Sequence, residues 1–213
     1  MAIKPILFNT EMVRAILDGW KNCTRRLVKP QPTAHYGTQC IKTPYQPGDI
    51  LYVRETWQYL YELDGNEQII EGTGKYYYAA TDTIPFDTYV DASGVTHERV
   101  PWHPSIHMPK EAARIWLRVT DVRIERLQDI DEDGVWDEGF RFKPPCSADG
   151  HTCDLDGPCT SSIKYCEMTM GELFGRELWD STIKKSDLDR YGWDANPYVW
   201  VIEFERCEKP EGV

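Results

Sequence analysis

Lys21 and Thr24 lie three residues apart, close enough in the sequence for the lysine to act as a base on the threonine hydroxyl. They lie in the stretch Gly19–Arg26, which follows a short amphipathic segment and also carries Arg25 and Arg26. A partly desolvated lysine amine can take the proton of a neighbouring hydroxyl and so activate it as a nucleophile. The alternative interpretation of the same stretch is an exposed basic turn without chemistry.

The composition is that of an ordinary soluble globular protein. The chain has 213 residues, of which 41% are hydrophobic and 28% are charged, which suits one domain with insertions. No apolar run approaches the length needed to span a membrane. The first eight residues are too short and too quickly polar for a signal peptide, so we expect a cytoplasmic protein without a membrane partner.

The charge distribution favours a localised anionic ligand. A net charge of −11 argues against general, salt-driven binding of duplex DNA. Basic residues nevertheless outnumber acidic ones in residues 1–30, whereas residues 129–180 are strongly acidic. One basic patch on an acidic body suits a nucleotide-like ligand better than a long DNA track, although a chance asymmetry on a solvated surface has the same appearance.

Hydrophobic patterning predicts an α+β fold with several short strands and few helices. The predicted helices cover residues 9–18 with Gly19 as a stop, Asp131–Glu138 and Thr169–Trp179. The predicted strands cover 5–8, 50–57, 76–80, 113–127 with a bulge near Thr120, and 198–204. Short strands with long connections favour a small mixed β-barrel with helices attached to it.

Three segments together carry a family resemblance. They are the Lys21-x-x-Thr24-x-Arg26 motif, the Pro47-Gly48-Asp49 turn that leads into a strand, and the C-terminal strand Val199–Glu205. The chain resembles the ASCH domain, a branch of the PUA-like superfamily, and above all phage- and prophage-encoded ASCH-like proteins. The resemblance covers about two-thirds of a single domain, 1–213, with insertions at about 58–100 and 140–168.

The resemblance implies a barrel with a cleft that takes nucleotides or RNA. One branch of the family is a small bacterial amidohydrolase that removes the acetyl group from N4-acetylcytidine. By this similarity Thr24 is the nucleophile, Lys21 its base, and Glu138 the proton carrier or the residue that orients Lys21. Arg26 matches an arginine of the same motif and could bind a phosphate or the carbonyl oxygen. The alternative for Glu138 is a solvated carboxylate at the end of an acidic helix.

Further substrate contacts are expected from Arg25 and from the strand that ends in Arg54, Glu55 and Trp57. The indole of Trp57 could stack on a base, as aromatic side chains do in nucleic-acid-binding proteins. Glu55 is an alternative carboxylate for the site. The competing interpretation is that Trp57 belongs to the hydrophobic core.

A cysteine-rich segment predicts one structural zinc ion. Cys146, Cys153, Cys159 and Cys166 lie within twenty-one residues, with His151 among them. Such thiols rarely form disulfides in the cytoplasm, and four of them can hold tetrahedral zinc in a segment without a hydrophobic pattern. The usual close cysteine pairs are absent, so free thiols or a redox role stay open. No organic cofactor is expected.

Two functions follow from these observations. The first is an ASCH-type amidohydrolase that acts on N4-acylated cytosine nucleosides or a related modified base. The second is a non-catalytic module of phage origin that binds RNA or a modified nucleotide. Turnover that depends on Lys21 distinguishes the first from the second.

Overall fold

The fold is described from a computed structural model, which describes residues 1–32, 41–62, 64, 66, 68–84, 89–90, 93, 95–97, 100–141 and 168–212. The strands are β1 Ile3–Leu7, β2 Cys23–Leu27, β3 Ile50–Arg54, β4 Trp57–Leu60, β5 Lys75–Tyr78, β6 Tyr89–Val90, β7 Thr96–His97, β8 Trp116–Arg126 and β9 Tyr198–Cys207. The α-helices are α1 Thr10–Leu17, α2 Glu132–Asp137, α3 Met170–Leu173, α4 Asp180–Thr182 and α5 Leu188–Tyr191. A π-helical segment, Phe174–Trp179, links α3 to α4.

The main sheet is mixed and has five strands in the order β1-β3-β8-β9-β2. β4 pairs with β5, and β6 pairs with β7, in two further two-stranded sheets. The α+β class is therefore confirmed, but the predicted closed barrel is not seen in the part of the chain that the structure describes.

The chain divides into two compact units. Unit 1 comprises Met1–Asp18, Gly48–Arg118 and Glu205–Val213, and unit 2 comprises Gly19–Pro47 and Val119–Phe204. In unit 1, β1 runs parallel to β3, and their register pairs Ile3 with Ile50. Asp49, at the start of β3, accepts hydrogen bonds from the Ala2 amide at 2.8 Å and from Lys4 Nζ at 2.7 Å. These bonds fix the pairing of the two strands at one end.

Unit 2 is built on the antiparallel pair β2–β9, in which Thr24 lies opposite Ile202. Helical elements cover one face of this pair, with a core that contains Cys23, Leu127, Ile130, Val135, Phe174, Trp179, Trp193, Val199 and Val201. The Trp193 ring approaches Gly175 so closely that a Cβ there would lie 2.1 Å from it, so the packing requires glycine. Buried aromatic area of this kind dominates the stability of such cores.

Most predicted elements are present with shifted ends. Helix α1 begins after its N-cap Asn9, α2 lies within the predicted acidic helix, and the third predicted helix contains the π-helical segment. The predicted strand 50–57 is two strands, β3 and β4. The Lys-x-x-Thr-x-Arg motif leads into strand β2, so the interpretation as an exposed turn is wrong. No helix in the described ranges is both long and apolar enough to cross a bilayer.

Candidate functional site

Lys21 and Glu138 form a buried ion pair in unit 2. Lys21 Nζ lies 2.5 Å from Glu138 Oε2 and also donates to the Glu138 backbone oxygen at 2.9 Å. The two residues are 3% and 4% exposed. Their backbones form an isolated antiparallel bridge, and the Asn22 amide donates to the Asp137 carbonyl at 3.0 Å. Lys21 and Glu138, to which the family resemblance assigns parts of one site, are therefore in direct contact.

The second oxygen of Glu138 is held by Arg25. The Arg25 amide donates to Glu138 Oε1 at 2.6 Å, and the Arg25 guanidinium lies 3.5 Å from the same oxygen. One buried carboxylate thus lies between two buried cations.

A chain of alternating charges continues from Arg25 to the surface. Arg25 lies 3.7 Å from Glu125, which pairs with Arg123, and Arg123 also pairs with Glu203 and with Asp121. Side-chain exposure rises along this chain, from 3% at Arg25 to 25% at Glu125 and 40% at Arg123. The carboxylates balance the second buried cation, which lowers the cost of placing Arg25 in the interior.

Sequence reasoning missed this chain. Its signal was the alternation of Asp121, Arg123 and Glu125 along β8, which places three charged side chains on one face of a strand. Their partners Arg25 and Glu203 come from β2 and β9, and a sequence pattern does not reveal which strands are neighbours.

Helix α2 positions Glu138. Asp131 caps the helix by accepting from the Gly134 amide at 2.8 Å, Val135 is buried in the unit 2 core, and Glu138 is the C-cap. The guanidinium of Arg25 lies against Gly134, where a Cβ would stand 2.9 Å from one of its nitrogens. Glycine is unfavourable inside a helix, so its presence here reflects the space that Arg25 needs.

Cys23 lies beside the ion pair but is not a nucleophile. Burial, and after it the negative charge of Glu138, raises the pKa of the Cys23 thiol to about 12, while Arg25 and Lys21 oppose the shift. The Arg25 guanidinium donates to Cys23 Sγ at 3.9 Å. A thiol whose pKa is raised in this way is less reactive near neutral pH.

Strand alternation separates the two arginines of the motif. Cys23, Arg25 and Leu27 share the face of β2 that meets the unit 2 core, so Thr24 and Arg26 lie on the opposite face. Thr24 is 2% exposed. Burial lowers the pKa of the Arg26 guanidinium, and the charges of Glu138 and Tyr45 oppose that shift. Arg25 therefore holds Glu138 from the core side, whereas Arg26 shares a face with Thr24.

The remaining predicted substrate residues belong to unit 1. Arg54 donates to the carbonyl oxygens of Met108 and Ile106. The two carboxylate oxygens of Glu55 accept hydrogen bonds from two nitrogens of the Arg114 guanidinium, each at 2.9 Å. Trp57 packs against the unit 1 core and lies 5.1 Å from the His103 ring. These contacts give all three residues a structural role in unit 1.

The predicted zinc ligands Cys146, His151, Cys153, Cys159 and Cys166 lie outside the described residues. Within the described ranges no group of three or more histidine, cysteine or acidic side chains is placed to hold a metal ion. The zinc site stays a prediction from the sequence.

Comparison with known proteins finds one kind of similarity. No protein-family model matches the chain, and no curated protein sequence matches it. Among solved structures it is similar to a high-resolution crystal structure of an ASCH domain from Lactobacillus crispatus JV V101. The two are 12% identical over 96% of this chain and 79% of that one, with a TM-score of 0.35. Similarity at this level assigns no role to any residue.

Proposed function

We propose that the protein is an amidohydrolase that removes the acyl group from N4-acylated cytosine nucleosides or a related modified base. The buried contact between Lys21 and Glu138 carries this proposal, because it holds an amine beside a carboxylate in the interior. Thr24, whose hydroxyl is also buried, follows Lys21 by three residues in the sequence. Buried pairs of an amine and a carboxylate occur at catalytic sites, where they hold an acid and a base in place.

The short contact supports a role for Glu138 in proton transfer. When the proton moves from Lys21 Nζ to Glu138 Oε2, the amine becomes neutral and can act as a base. Neutral Lys21 then takes the proton of the Thr24 hydroxyl, and Thr24 Oγ1 attacks the acyl carbon of the substrate. The negative charge that develops on the acyl oxygen needs a hydrogen-bond donor. The Arg26 guanidinium is that donor, because Arg26 and Thr24 lie on the same face of β2.

The rest of the reaction follows from the same groups. The tetrahedral intermediate collapses when the cytosine amine leaves with the proton from Lys21, and an ester on Thr24 remains. Water then gives a proton to Lys21 and attacks the ester, and Lys21 passes that proton to Thr24 Oγ1 as the acyl–oxygen bond breaks. The products are the free carboxylic acid and the regenerated threonine, and Glu138 returns its proton to Lys21. Arg25 does not touch the substrate in this scheme; its amide and guanidinium keep Glu138 in place.

Turnover of N4-acetylcytidine by the purified protein tests the proposal directly. We expect cytidine and acetate from the wild type, no turnover from Thr24→Val, and residual turnover from Thr24→Ser. The valine variant keeps the branched shape that strand β2 accommodates and lacks only the hydroxyl, so it separates chemistry from folding. Equal turnover by the wild type and Thr24→Val would exclude Thr24 as the nucleophile.

A non-catalytic binding module is the alternative outcome of the same experiment. A folded protein that binds the acylated nucleoside or an RNA that contains it, without forming product, would have that function. Lys21 and Glu138 would then be a structural ion pair, and Arg26 a ligand contact.

A further inference from the structure

Two tryptophans with strongly exposed side chains flank the buried ion pair along the chain. Trp20 directly precedes Lys21, and Trp136 lies two residues before Glu138. They are 52% and 43% exposed. Indoles are costly to leave in water because of their large apolar area, so two of them beside a candidate site indicate a binding surface.

Arg141 links the two rings. Its guanidinium carbon lies 4.3 Å from the centroid of the Trp136 ring and 5.5 Å from that of Trp20. The same side chain donates to the backbone oxygens of Trp136 and Phe140 at 3.0 Å. A flat cation thus contacts both indoles at once, in the way a flat heteroaromatic ring would.

We propose that Trp20, Trp136 and Arg141 form the stacking site for the base of the substrate, and that the base replaces the Arg141 guanidinium against the indoles. This inference rests on the proposed function for the identity of the ligand. The side chains of the ion pair itself are 0% and 3% exposed, whereas both indoles are accessible to a ligand.

With Arg141 displaced, the charges of helix α2 favour an uncharged ligand at the rings, in contrast to the anionic ligand expected from the charge distribution of the sequence. Helix α2 carries Glu132 and Asp133 in its first turn and Asp137 at its end, all exposed, on the same helix as Trp136. Phosphate groups would be repelled by these carboxylates, whereas a neutral base and ribose would not. The site therefore fits a free nucleoside better than an RNA strand.

Equilibrium binding of N4-acetylcytidine, followed by calorimetry in the Thr24→Val background, tests the site without turnover. Stacking of a base on an aromatic ring contributes enough that its loss weakens binding about tenfold. We expect that increase in Kd for Trp136→Ala and Trp20→Ala, and a smaller one for Trp136→Phe. Tyr61→Ala is the matched control, because Tyr61 is 41% exposed and belongs to unit 1.

Arg141→Ala gives the sharper test of displacement. Because the guanidinium must leave the rings when the base binds, its removal should tighten binding about two- to fivefold. A Kd that rises as much as in Trp136→Ala would show that Arg141 contacts the ligand and would overturn the displacement.

The outcomes separate this inference from the proposed function. Tight binding that depends on Trp20 and Trp136, without turnover by the wild type, supports the stacking site and rejects the amidohydrolase. Turnover with kcat/KM unchanged in both tryptophan variants rejects the stacking site and supports the enzyme. The preference for an uncharged ligand would be overturned if an oligonucleotide that contains N4-acetylcytidine bound more tightly than the nucleoside. If the protein bound neither ligand, both proposals would be overturned.

Discussion

Lys21 Nζ and Glu138 Oε2 lie 2.5 Å apart although 117 residues separate them in the sequence. Both side chains are almost fully buried, and Arg25 contributes a second cation to the same carboxylate. A buried ion pair adds little net stability compared with apolar residues, but removal of one partner leaves an uncompensated charge in the interior. The contact is therefore costly to break.

Replacement of Glu138 should destabilise the fold strongly. Glu138→Gln leaves Lys21 and Arg25 without their carboxylate, and we expect a loss of about 3–5 kcal/mol in the free energy of unfolding. Urea denaturation measures it. Asp137→Asn is the control, because the adjacent Asp137 side chain is exposed and the change should stay within about 0.5 kcal/mol.

A double variant checks the explanation. Lys21→Met combined with Glu138→Gln also removes the cation that Glu138→Gln leaves without a charged partner, so it should be more stable than the sum of the single effects predicts. Strict additivity of the two changes would contradict a direct charge interaction between Lys21 and Glu138.

Local elements were predictable from the sequence, and the site was predictable only in part. The cap of α1 and the acidic helix before Glu138 follow from local patterns. Strand β2 was missed, because Arg25 and Arg26 stand side by side and hide the alternation of a strand. Its strand character comes from pairing with β9, a contact between residues far apart in the sequence. The Lys21–Glu138 contact was reached through the family resemblance, and no local pattern predicts it.

The Cys23 thiol should make stability fall at high pH. Its pKa is raised from 9.0 to about 12 in the folded state, so the unfolded chain loses this proton first. The contribution of Cys23 is constant below pH 9 and decreases as pH rises from 9 to 12, by about 1.4 kcal/mol per pH unit at most. The difference in unfolding free energy between wild type and Cys23→Ala should therefore shrink between pH 9 and pH 11. A difference that grows over this interval would mean that the folded protein stabilises the thiolate of Cys23 and not the thiol.

Arg114 should be essential to the stability of unit 1. Glu55 is 1% exposed, and Arg114 is its bidentate partner while also stacking on Tyr78 at 4.0 Å. Arg114→Ala leaves a buried carboxylate unpaired, so we expect a loss of about 3–5 kcal/mol in a denaturation experiment. The pair Arg118–Glu205 is the comparison, because both side chains are more than half exposed and Arg118→Ala should cost less than about 1 kcal/mol. Equal losses would show that the burial of Glu55 does not determine the effect.

The cysteine-rich segment predicts a metal content that elemental analysis can measure. We expect one zinc ion per chain in protein purified without chelator, and loss of that zinc in Cys153→Ser. Cys207→Ser should keep the metal, because Cys207 lies at the end of β9, away from the segment in sequence. Zinc-free protein with all four cysteines titratable as thiols would support the free-thiol interpretation.

The N-cap of α2 should affect both stability and turnover. Asp131 accepts the Gly134 amide at 2.8 Å, and Asp131→Ala removes this bond at a cost of about 1 kcal/mol. Because Glu138 is the C-cap of α2, a loosened first turn also displaces the carboxylate that holds Lys21. In the proposed reaction a small displacement of this group costs about tenfold or more in rate. Asp131→Ser restores the cap and should restore both properties. Asp133→Ala is the control, because Asp133 lies in the same turn but is not the capping residue, and it should leave kcat/KM for N4-acetylcytidine near the wild-type value. If Asp133→Ala lowered kcat/KM as much as Asp131→Ala, the effect would come from the charge of the helix and not from its cap.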